Sequence, residues 1–111
     1  MNRTDNGNTQ GSAIGAEVLK FRNNSPNNPS VTIRNNDPTI SLSIEWRDSD
    51  DGTTWTTISG TSATITPGNS DTQLVNSTKR LIALFAVGNV SLDYHVARQY
   101  NLSGALIDLD L

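Results

Sequence analysis

The sequence predicts an all-β fold: an antiparallel immunoglobulin-like β-sandwich of about seven to nine strands, preceded by an extended polar N-terminal arm. Three observations carry this. Apolar residues recur at spacing two in short segments, most clearly Ile40, Leu42, Ile44 and Trp46, and again Val90, Leu92, Tyr94 and Val96. Clusters of Gly, Pro, Asn and Asp punctuate those segments about every ten residues. Asn, Thr and Ser make up about a third of the 111 residues; Thr suits a pleated surface, while Asn and Ser bond their own backbone in turns.

Residues 1–13, opening MNRTDNGNTQGS, form a polar arm, and residues 14–111 form the sandwich domain. Ala16–Phe21 alternates as a first strand, and Asn23–Pro29 is a loop by composition. Ser30–Arg34 sets Val31 and Ile33 on one face, before a turn at Asn35–Pro38. Ile40–Arg47 follows as the most regular strand, with Ser41, Ser43, Glu45 and Arg47 on the face opposite its apolar residues. Shorter strands are expected over Trp55–Ile58 and Ala63–Ile65, and Pro67–Ser70 reads as a turn. Arg80–Val87, RLIALFAV, is nearly unbroken in apolar residues, as in a strand covered on both faces or central to a sheet. Gly88-Asn89 turns it into the alternating run Val90–Ala97. Ile107, Leu109 and Leu111 alternate with Asp108 and Asp110 in a last strand, whose apolar face fills the sandwich or adds to a partner's sheet edge.

Bulk properties exclude several functions. A net charge of −3 and a pI near 4.8, with no basic run, oppose nucleic-acid binding. No apolar stretch approaches bilayer length, so no membrane contact is expected. Zero cysteines fit a reducing cytoplasm and rule out thiol chemistry. The opening residues carry no apolar signal segment, so the chain is expected to stay where it is made unless it leaves within something larger.

The acidic knot Asp48-Ser49-Asp50-Asp51-Gly52 invites a calcium reading through Asp48, Asp50 and Asp51. Calcium wants six to eight oxygens and a distal bidentate carboxylate, and Ile58 and Ser59 stand where that carboxylate would fall. A hairpin turn is the better reading: Gly52 accepts positive φ and the aspartates cap the turn. Trp46 is in phase with Ile40, Leu42 and Ile44 and belongs to the core; Trp55, across the hairpin, is expected to pack near it. Were both tryptophans exposed instead, they would suit a carbohydrate platform. Catalysis has no foothold. His95 is the lone histidine, on the outer face of its strand, and Glu45 with Asp48 is an ordinary pair at a strand end. No enzyme activity and no cofactor are expected.

The run IEWRDSDDGTTWTTI, followed by ATITPG and RLIALFAVGNVSLDYHVAR, resembles small immunoglobulin-like sandwich proteins of tailed-bacteriophage virions, in particular capsid decoration (cement) proteins. The resemblance spans about residues 30–98 and is one of cadence. It implies a structural virion protein, made in the host cytoplasm, that sits outside the shell and bridges major capsid subunits, singly or as a homo-oligomer. Partner contacts are then expected from the arm (Asn2, Arg3, Thr4, Asp5, Asn6, Asn8) and from Ile107, Leu109 and Leu111. A free arm of about twelve residues reaches roughly 35–40 Å and would order on docking. The alternative is a non-catalytic carbohydrate-binding module, with calcium at the knot.

Overall fold

In a computed structural model, residues 2–23, 28–99 and 109–110 are described. They form ten strands in two antiparallel sheets: β1 (Asn2–Gln10), β2 (Ala16–Arg22), β3 (Ser30–Asn35), β4 (Leu42–Ser49), β5 (Thr56–Thr57), β6 (Ala63–Ile65), β7 (Ser70–Leu74), β8 (Leu81–Val87), β9 (Ser91–Gln99) and β10 (Leu109–Asp110). One sheet runs β1-β9-β3-β7. The other runs β10-β2-β8-β4-β5, with β6 also paired to β4. The chain is thus a β-sandwich, as its alternation predicts. Its connectivity adds a feature that alternation cannot show. Apart from the β4–β6 stretch, successive strands cross from sheet to sheet instead of pairing as hairpin neighbours, the strand order of a double-sheet jelly roll.

The inward residues of the two sheets make one core. Leu19 and Phe21 of β2, Val31 and Ile33 of β3, and Leu42, Ile44 and Trp46 of β4 are buried with Ile82, Leu84 and Ala86 of β8 and Leu92, Tyr94 and Val96 of β9. Phe21 meets Trp46 edge-on at 6.1 Å between centroids, a favoured aromatic geometry. Trp46 is fully buried, yet its indole N–H has no acceptor among the described residues.

Residues 2–13 depart from expectation. They are not a free arm: Asn2–Gln10 pairs antiparallel with β9 in unbroken register, from Asn2 opposite Gln99 to Gln10 opposite Ser91. No apolar residue occurs in β1, which is why the period-two signal misses it. Backbone ladder and side-chain polar bonds hold it instead. Asn8 Nδ2 lies 2.8 Å from Ser91 Oγ and 2.9 Å from Asp93 Oδ1. At Gly7 the Tyr94 ring lies where a Cβ would project, so the hydroxyl and ring carbons of Tyr94 fill the space that glycine leaves.

Two further corrections concern strand ends. Ile40 lies outside β4 and is exposed, because Asp37 turns the chain there: its Oδ1 accepts from Thr39 N at 2.8 Å and Ile40 N at 2.7 Å. β7 has no counterpart in the sequence reading, since Ser-Asp-Thr-Gln-Leu at a sheet edge needs no apolar face.

One buried polar residue ties the β3 end together. Asn35 is 0% exposed; its Nδ2 donates to Ile40 O at 2.8 Å and Ile65 O at 2.9 Å, and its Oδ1 accepts from Asp37 N at 2.9 Å. Its backbone N–H donates to Asn69 O, and its carbonyl accepts from Gly68 N. A single amide thus joins β3, the loop before β4, and β6. Thr61, also buried, plays a similar part: its Oγ1 accepts from Trp46 N at 3.0 Å and donates to Ile58 O at 2.8 Å.

Candidate functional site

The acidic knot resolves into a turn whose carboxylates point to separate tasks. Ser49 is buried, and its Oγ accepts from Gly52 N at 2.9 Å while donating to Asp51 Oδ1 at 2.9 Å. Asp51 Oδ1 also accepts from Thr53 N and Thr54 N, both at 2.8 Å, and Gly52 takes φ 77°. These bonds, first those from the Thr54 and Thr53 amides, hold the Asp51 carboxyl down at about 2. Asp48 turns elsewhere, accepting from Ser77 Oγ at 2.7 Å with Lys79 Nζ at 3.6 Å. Asp50 Oδ1 accepts from Arg80 N at 3.3 Å. The three do not converge, and among the described residues no group of three potential ligands would hold a metal.

The imagined carboxylate pair also separates. The pleat puts Glu45 on the outer face and Asp48 in phase with inward-facing Trp46. Glu45 Oε2 accepts from Thr57 Oγ1 at 2.6 Å and Arg47 Nε at 2.7 Å, and those bonds, Thr57's first, lower its carboxyl below the usual range.

The tryptophans split as well. Trp46 is core; Trp55 is not beside it. It packs on the outer face of the β8-containing sheet, edge-on to Phe85 at 5.8 Å, so no Trp46–Trp55 platform exists. Arg47 lies over the Phe85 ring, 4.1 Å from guanidinium carbon to centroid. The run RLIALFAV conceals this face. Ile82, Leu84 and Ala86 point inward, so Leu81, Ala83, Phe85 and Val87 point out, half-buried Phe85 opposite Glu45 and Val87 opposite Ser43. The signal available in sequence is the polar phase of the neighbouring β4.

Phe85 and Val87, with Glu45, Arg47 and Ser43 of β4, help line a cleft of about 520 Å³. Phe85, Val87 and Ile14 supply an apolar wall; Glu45 and Arg47 supply an ion pair; Ser43, Ser62 and Thr64 supply hydroxyls. Ile14, between β1 and β2, is 92% exposed. A shallower hollow lies across the other sheet, where Asn6, Thr32, Arg34, Asp93 and exposed His95 meet. There Asp93 is lowered by bonds from Asn8 and Asn36 and by the Arg34 charge, and burial with the Asp5 charge raises Tyr94.

Of the expected partner residues, Asn2, Arg3, Thr4, Asp5, Asn6 and Asn8 all lie on β1, and Leu109 lies on β10, which pairs with β2 at Phe21 and Lys20. Ile107 and Leu111 lie outside the described residues.

No protein-family model and no curated protein matches the chain. Solved structures share its fold. PirA is 11% identical, with a TM-score of 0.55 over 86% of this chain and 91% of its own. A Bacillus endospore appendage subunit, from a family of disulfide-linked pili, is 11% identical, with a TM-score of 0.58 over 91% of this chain and 88% of its own. Likeness at this identity shows the sandwich and nothing about activity.

Proposed function

We propose that the chain is a non-enzymatic structural subunit of a repeating particle: a decoration protein that docks outside a phage shell and bridges major capsid subunits. One observation carries the reading. Among the described residues β1 is the edge of its sheet, nine residues in unbroken register, and its far side offers a row of backbone donors and acceptors. Such edges are normally blunted by proline, bulges, shortness or charged side chains; β1 has none of the first three, and its charges are Arg3 and Asp5. It suits strand addition to another subunit, where main-chain bonds give the hold and lattice repetition the avidity. Asn2, Arg3, Thr4, Asp5, Asn6 and Asn8 thus keep their proposed partner role, as an edge strand rather than an arm that orders on docking. Leu109 lies on the two-residue β10 at the edge of the opposite sheet.

Two points of analogy support assembly. Jelly rolls recur in viral capsid proteins, and one similar structure belongs to a pilus family. That family is disulfide-linked; this chain has no cysteine, so its assembly would not use disulfides.

The test is co-sedimentation of purified chain with shells assembled from the major capsid protein of the same genome. Saturable binding that is lost in a Thr4→Lys, Asn6→Lys double variant is the expected result. Absence of binding by the unaltered chain overturns the shell role, and undiminished binding by the variant removes β1 from it.

A further inference from the structure

We propose that the cleft over Phe85 binds a neutral sugar, one pyranose ring of a glycan. This is independent of the shell role and lies on the opposite sheet from β1. A pyranose has an apolar C–H face and a rim of hydroxyls, and the cleft is divided the same way. Phe85, Val87 and Ile14 form a wall for the C–H face. Beside it stand the hydroxyls of Ser43 and Thr64 and the Glu45–Arg47 pair.

The ion pair decides the charge of the ligand. Arg47 Nε and Glu45 Oε2 meet at 2.7 Å, so the site presents no net charge for an anion or a metal ion to neutralise. Arg47 spends Nε on Glu45, and its terminal nitrogens remain as donors. Both bonds to Glu45 fall on Oε2, which leaves Oε1 to accept from a ligand hydroxyl. A neutral polyol uses donor and acceptor together; a phosphate or a cation would have to break the pair. The stacking over Phe85 and the Thr57 bond to Glu45 hold both groups before a ligand arrives, which lowers the ordering cost of binding. About 520 Å³ is within the range of small-ligand sites and ample for one or two rings.

The experiment is an amide-resolved NMR titration of the full chain with neutral methyl glycosides and disaccharides up to about 50 mM, with Trp55 followed through its indole signal. The expected result is saturable shifts at Ser43, Arg47, Thr64, Phe85, Val87 and Trp55 with one sugar family, at a Kd of about 1 mM. Phe85→Leu, which keeps an apolar side chain, and Arg47→Lys, which keeps the charge but loses the fork, should each weaken binding about tenfold, and Ser59→Ala should not. No saturable shift with any glycoside overturns the proposal. So does a preference for sulfated or phosphorylated sugars, and so do shifts at these residues that follow protein concentration without sugar, the mark of a second copy in the cleft.

Discussion

Replacing Asn35 tests how much of the fold hangs on one buried amide. Asn35→Ala removes two donated bonds and one accepted bond, leaving Ile40 O, Ile65 O and Asp37 N without their side-chain partner. The Ile65 bond is fully buried, so its carbonyl carries the full penalty of an unsatisfied buried group, about 1–3 kcal/mol. The other two are partly buried, where water re-enters, at about 1 kcal/mol each. The sum is about 3–5 kcal/mol. For 111 residues the unfolding entropy converts each kcal/mol to about 4 °C, so the melting temperature should fall about 12–20 °C. Thermal unfolding followed by circular dichroism measures it, with exposed Ser59→Ala as control. Asn35→Asp sharpens the test. The introduced carboxylate can accept from Asp37 N but cannot donate to either carbonyl while ionised, and when protonated its one O–H can serve only one of them, so its folded-state pKa should rise above the unfolded value of about 3.9. Relative to the unaltered chain, this variant should be most stable below about pH 3.9 and lose stability as pH climbs through its raised pKa. A drop under about 1 kcal/mol for Asn35→Ala, or an Asn35→Asp variant whose relative stability is indifferent to pH, would refute the reasoning.

Three further outcomes are expected. Gly7→Ala drives a methyl into Tyr94 and should cost about 1–3 kcal/mol, with amide protection lost along β1 but kept in β4 and β8, as hydrogen exchange would report. The Asp51 carboxyl should titrate by NMR near 2; the stability it lends is present above about pH 3.9 and fades as pH falls toward 2, and added calcium should leave that midpoint unchanged. Trp46→Phe removes an indole N–H that has no acceptor among the described residues. It should therefore cost only about 1–2 kcal/mol in denaturant unfolding, well below the roughly 3–5 typical of truncating a buried aromatic to alanine.

The sandwich is legible because burial on one face writes itself into sequence at spacing two, and β3, β4 and β9 show it cleanly. β1 and β7 are not legible. An edge strand with no buried face needs only backbone partners, and Asn-Arg-Thr-Asp-Asn-Gly-Asn carries no trace of them. Strand order is hidden for a related reason: alternation tells which face a residue takes, not which strand lies beside it. The turn at Asp48–Gly52 is readable, since Gly and Asp act locally there. The cleft is not. Phe85 and Val87 are lost in an apolar run, Trp55 takes the face opposite the one its neighbour Trp46 suggests, and Ile14 belongs to no periodic segment. The pairing of β8 with β4 sets Phe85 and Val87 beside Glu45 and Ser43, and a bridge from Ser12 to Val87 brings the Ile14 loop to them.

The pairing of β1 with β9 also sets an order of events at the ribosome. Asn2 lies opposite Gln99, so β1 cannot close its ladder until the distant β9 has been made. A greasy segment waiting that long would recruit wrong partners; one built from Asn, Thr, Asp and Gln waits harmlessly in water. The composition that hid this strand from view also suits it to that wait.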